Sequence, residues 1–73
     1  MNQIKRKPVK SSNLKSIGYD SSLKVLEVEF LNGALYQYSD VPADAFMELM
    51  AAESHGVYFC ANIKPVYEFK KVS

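Results

Sequence analysis

Ser54, His55 and Cys60 are the residues of this 73-residue chain whose types could do covalent chemistry, a hydroxyl, an imidazole and a thiol close together in sequence. A nucleophile also needs a third group that orients its base and donors for the oxyanion. No spacing in the chain supplies either. His55, the only histidine, follows what reads as a helix C-terminus, where an imidazole caps the dipole. One His and one Cys cannot furnish the four ligands of a structural metal site. The three glycines form neither a P-loop nor a dinucleotide-binding pattern. The expectation is therefore a non-enzymatic module with no cofactor and no metal.

The other chemistry is electrostatic. The net charge of +1 conceals a segregation: Lys5, Arg6, Lys7, Lys10 and Lys15 precede any acid, seven acids against Lys24 alone fill Asp20 to Ile63, and Lys64 to Ser73 is basic again. Cationic ends are the footprint of a phosphate-bearing partner, although such ends also confer solubility or fold back on an acidic body. An RNA surface would combine Lys10, Lys15 and Lys64 with Tyr19 or Tyr58, since bases stack on aromatic rings in positively charged grooves. Two other classes stand beside it. One is a protein-interaction or homo-oligomerisation module using open sheet edges and the soft apolar Met47, Met50 and Phe59. The other is a small-ligand binder between helix and sheet.

Those residues need a scaffold. Met1 to Lys10, with Pro8, reads as a basic flexible arm, and 11–73 as one domain. Ser11-Ser12-Asn13 is an entry turn. A strand follows near Leu14 to Tyr19, in which Gly18 marks a bulge or a close backbone approach. Leu26, Val28 and Phe30 alternate with Glu27 and Glu29 in a second strand near Leu23 to Phe30. Asn32-Gly33 turns into a third strand over Ala34 to Ser39. Pro42 suits the first position of a helix running to about Ser54, with Asp40 and Asp44 near its positive end and Gly56 as its stop. Phe46, Leu49, Met50 and Glu53 fall at helical spacing, so Phe46 and Leu49 should be core. The Phe59 to Ile63 spacing suits a second short helix ended by Pro65. Val66 to Val72 reads as an edge strand or a frayed tail. The expected class is α+β: a three-stranded antiparallel meander, one main helix, a second short helix and a short C-terminal strand if the tail is ordered.

Hairpin register decides where Tyr36 and Tyr38 face. A two-residue loop at Asn32-Gly33 sets them opposite Glu29 and Glu27, exposed. A three-residue loop over Leu31 to Gly33 moves Tyr36 beside Val28 on the core face. Ala34, Tyr36 and Tyr38 make the more apolar face, which favours the second register.

Composition bounds the rest. At 48% hydrophobic and 23% charged residues the chain has the profile of a soluble globular domain, and one of this size buries only about 60% of its unfolded surface. There is no secretory h-region and no run of about 18 apolar residues. Cys60 has no partner for a disulfide within the chain, which fits a reducing compartment. The chain is expected in the cytoplasm, without a membrane partner.

Ser11-Ser12-Asn13-Leu14, Ile17-Gly18-Tyr19-Asp20, the Phe30 to Gly33 hairpin, Tyr36-Gln37-Tyr38, Val41-Pro42, and Gly56 with Tyr58-Phe59 occur in an order and spacing that resemble the KTSC family. That domain is named for its place at the C-terminus of some lysyl-tRNA synthetases, and the resemblance runs from Val9 to about Tyr67. It implies a free-standing bacterial or phage domain whose function is unassigned, with RNA binding suggested by the synthetase context. It further implies structural roles for Ser11, Ser12, Gly18, Tyr36, Tyr38, Pro42 and Gly56. Cys60 departs from the pattern, in which a polar residue such as Asn follows Tyr-Phe.

Overall fold

The computed structural model describes residues 4–72. The sheet has five strands, not three: β1 (Arg6–Pro8), β2 (Leu14–Asp20), β3 (Val25–Phe30), β4 (Leu35–Tyr38) and β5 (Phe69–Lys71). Their order across the sheet follows the chain, β1-β2-β3-β4-β5, with every pair antiparallel. Between β4 and β5 come α1 (Ala43–Ala51) and α2 (His55–Tyr58), the latter continuing as a π-helical turn over Phe59–Ile63.

The strand over Arg6–Pro8 corrects the expected arm. Its residues are exposed and show no apolar alternation, yet its backbone pairs with β2, placing Arg6 opposite Gly18 and Pro8 opposite Ser16. Met1 to Gln3 of that arm lie outside the described residues. The tail is likewise settled as an edge strand, because Phe69–Lys71 pairs with β4.

The hairpin between β3 and β4 takes the three-residue loop. Phe30 and Ala34 close it through the Phe30 N to Ala34 O bond of 2.9 Å, and Gly33 adopts φ +92°, which favours glycine. Val28 therefore faces Tyr36 and Leu26 faces Tyr38, on the sheet face that the helices cover. A second irregularity, between Leu14 and Ser16 of β2, lets Leu14 and Ile17 both point inward. The bulge thus sits at Lys15, and Gly18 serves the close approach instead.

The core is Leu14, Ile17, Leu26, Val28, Tyr38, Val41, Leu49, Phe59 and Ile63, all 2% exposed or less. Phe46 is only half-buried, correcting its expected place among them. It stacks on Tyr19 with centroids 4.8 Å apart and planes 10° apart. Pro42 caps α1 from outside instead of opening it, and α1 ends at Ala51, three residues short of Ser54. Gly56 is no stop: it lies inside α2, whose first amides are capped by Ser54, its hydroxyl accepting from Val57 N at 3.3 Å. A Cβ at Gly56 would lie 2.8 Å from Ser11 Oγ and closer still to Asn13 Oδ1. Glycine stands there because the Ser11 to Asn13 turn rests on the helix.

Candidate nucleic-acid interface

On the face of the sheet away from the helices, charge is consumed internally. Cross-strand pairing aligns Arg6, Gly18, Glu27, Gln37 and Lys70 in one row. The Arg6 side chain crosses Gly18, where a Cβ would meet its Cγ at 3.0 Å and the Lys5 carbonyl at 2.5 Å. Its guanidinium bridges to Glu27 and approaches Glu29 at 3.7 Å, and its Nε donates to Ser16 Oγ at 3.0 Å. Ser16 in turn donates to Glu29 at 3.1 Å and Gln37 Nε2 to Glu27 at 2.8 Å. Glu27 is thereby satisfied at 6% exposure, as a buried carboxylate must be. Two acids that would repel a phosphate are locked on this face.

The helix-side face differs at the β4–β5 margin. Phe30, Asn32, Ala34, Tyr36, Tyr38, Lys64 and Phe69 line a cleft of about 250 Å³. Tyr38 is its buried floor. Burial first, then the neighbouring Tyr36 and Cys60, pushes the Tyr38 phenol up to about 12. Tyr36 stands edge-on to Phe30 (5.4 Å, 89°) and tilted against Phe69 (5.4 Å, 48°). Phe69 is 55% exposed, so one ring of the cluster offers its surface to solvent. Lys71 is the cross-strand partner of Tyr36 and shares its face. Lys64 reaches the rim by way of the π-helical turn. The Lys64 N to Phe59 O bond of 2.9 Å spans five residues, keeping Phe59 and Ile63 both buried before the chain emerges.

The sequence-derived residues are divided between regions. Lys10 and Lys15 are exposed around the β1–β2 connection, joined by the Val9 N to Lys15 O bond of 3.1 Å. Lys64 lines the cleft with residues of β4 and β5, and that lining includes neither Lys10 nor Lys15. Tyr19 is engaged by Phe46, and its hydroxyl donates to Val41 O at 2.5 Å. Tyr58 donates to Glu48 at 3.0 Å. Both phenols are raised, by burial first, then by Asp20 for Tyr19 and by the Glu48 hydrogen bond for Tyr58. Sequence reasoning missed Phe30, Phe69 and Lys71, whose juxtaposition depends on β5.

The groups with covalent potential have structural employment. His55 Nδ1 donates to Leu49 O at 2.8 Å, closing the end of α1. Cys60 is exposed, with Asn13 Nδ2 at 3.9 Å from its sulfur. Among the described residues no group of three His, Cys, Asp or Glu is placed to hold a metal ion, and no helix is long and apolar enough to cross a membrane.

Comparison with known proteins accounts for this architecture. The chain is 45% identical over 62 residues to an uncharacterized protein of Stutzerimonas stutzeri, covering 85% of this chain and 87% of that protein. It is 36% identical over 62 residues to a lysine–tRNA ligase of Trichormus variabilis, of which the match spans only 11%. The crystal structure of a KTSC domain protein from Yersinia pestis superposes with a TM-score of 0.91 at 39% identity, covering 97% of this chain and 100% of that one. The family model of the KTSC domain matches residues 10–67, and the chain belongs to that family.

Proposed function

We propose that this chain is a non-enzymatic accessory module that binds RNA of the tRNA type. The observation that carries the reading is the cleft where Lys64 and the half-exposed rings of Tyr36 and Phe69 stand together, with Glu27 and Glu29 held by Arg6 on the opposite face. Rings beside cations suit a base and its phosphate at once. Lys10 and Lys15 add a second cationic margin. The kinship with part of a lysine–tRNA ligase supports RNA as the partner, and the free thiol of Cys60 agrees with a reducing cytoplasm.

An amide NMR titration with total tRNA at roughly 50 and 300 mM salt tests it. Two phosphate contacts give a logarithmic salt slope of about −1.4, so binding weakens about tenfold across that range. Salt-sensitive shifts at Tyr36, Lys64 and Phe69 to Lys71 are expected. No shift at the lower salt, or shifts confined to α1, would refute the reading. Self-association is the second reading, favoured by the β5 edge, which pairs with no further strand among the described residues, and by its exposed Phe69 and Val72. A monomeric solution mass at millimolar concentration would eliminate it.

A further inference from the structure

Resting on the RNA reading, we infer that the β4–β5 cleft takes one unpaired nucleobase, stacked on Phe69, with its flanking phosphates on Lys64 and Lys71, so that the ligand is single-stranded RNA and not a duplex stem. Four rings, Phe30, Tyr36, Tyr38 and Phe69, line the cleft together with Lys64 and Asn32, Tyr38 buried at its floor and Phe69 open to solvent. A paired base keeps its faces inside the helical stack, whereas a splayed base presents a face that can enter such a recess. Phe69 is the ring with most surface to offer, and its orientation is braced from two sides, by Tyr36 at 5.4 Å and Tyr38 at 5.5 Å. Tyr38 itself is covered by Phe59 edge-on at 5.3 Å, which makes the floor rigid.

The polar lining favours a nucleotide over a purely apolar ligand. Asn32 Oδ1 is taken by Ala34 N at 3.0 Å, which leaves the Asn32 amide nitrogen as a donor at the rim. Lys64 adds an ammonium, and Lys71 stands beside Tyr36 on the same face. Donors and cations around stacked rings match a base with carbonyl acceptors joined to anionic phosphates. The Lys10 and Lys15 margin lies beyond this cleft and contributes long-range attraction only.

Fluorescence anisotropy on the whole chain at roughly 50 mM salt, with labelled octauridylate and with an RNA duplex of eight base pairs, tests the assignment. Octauridylate is expected to bind more tightly than the duplex. Phe69→Leu keeps apolar bulk at β5 but removes the ring, and is expected to weaken octauridylate by about 5- to 150-fold, the range for losing one base–aromatic stack. Its salt slope should be unchanged. Lys64→Ala is expected to lower the slope by about 0.7. An amide spectrum of each variant matching the parent away from the substituted residue and the rings it touches establishes that the fold is kept. If the duplex binds as tightly as octauridylate, or Phe69→Leu leaves affinity intact, the cleft assignment fails while RNA binding stands. If an oligoglutamate of equal charge binds as tightly as octauridylate, the cleft reads charge alone and the assignment also fails. If none of octauridylate, duplex and total tRNA binds, both readings fail.

Discussion

Gly56→Ala is a substitution for which helix propensity and packing predict opposite signs. On propensity alone, replacing a helical glycine with alanine stabilises by about 1 kcal/mol. At Gly56 the new methyl would point into the Ser11 to Asn13 turn, 2.8 Å from Ser11 Oγ and closer to Asn13 Oδ1. Relief requires the turn to withdraw. Ser11 Oγ accepts from Asn13 N and Leu14 N, each at 3.3 Å, and donates to Asn13 Oδ1 at 3.0 Å. These three bonds are worth about 0.5–1.5 kcal/mol each. Losing two or three of them costs about 1–4.5 kcal/mol, which offsets the propensity gain and leaves a net destabilisation of up to about 3.5 kcal/mol. Urea unfolding monitored by circular dichroism would read this as a lower midpoint at unchanged slope. Asn13→Ala removes the nearer obstruction, so combining it with Gly56→Ala should cost less than the sum of the two alone by about 1 kcal/mol or more. A stabilised Gly56→Ala, or strictly additive effects, would refute the reasoning.

Arg6→Ala should destabilise by about 1–3 kcal/mol, because among the described residues it leaves the buried Glu27 carboxylate with only Gln37 as its side-chain partner. Adding Glu27→Gln should recover part of that loss, and urea unfolding of the single and double variants checks both. Alkaline titration probes the cleft floor. Tyr38 ionises at about 12 when folded against 10.0 as its ordinary value, so its neutral form is favoured by folding. The stabilisation is whole below pH ~10, and it is lost as pH rises through the folded value. The loss amounts to on the order of 2–3 kcal/mol by pH ~12. Denaturation midpoints between pH ~9 and ~11.5 should fall for the parent and fall less for Tyr38→Phe.

Much of the scaffold was legible because its signals are periodic. The alternation from Leu26 to Phe30, the helical spacing of Phe46 and Leu49, and the four-residue interval from Phe59 to Ile63 each reflect burial of one side of one element. β1 escaped, and β5 stayed open between an edge strand and a frayed tail, because their residues are exposed at every position and their pairing is carried by backbone groups, which leave no side-chain pattern. Gly56 was misread as a helix stop because its actual constraint comes from Ser11 and Asn13, more than 40 residues away. The cleft was legible through Lys64 and through the register that puts Ala34, Tyr36 and Tyr38 on one face. Phe69 enters it once β5 docks on β4, a contact between distant segments that no local window contains.

Because strand order follows chain order, three of the four strand pairings close through short connections and carry little loop entropy, the condition for rapid folding. The fourth does not. Between Tyr38 and Phe69 lie 30 residues holding both helices, so β5 docks only after they have collapsed onto the meander. The strand that completes the cleft is then expected to assemble late, and as a short exposed edge strand to exchange its amides with solvent early. Opening of β5 would dismantle the cleft and uncover Tyr38, the one core residue on which Phe69 stacks.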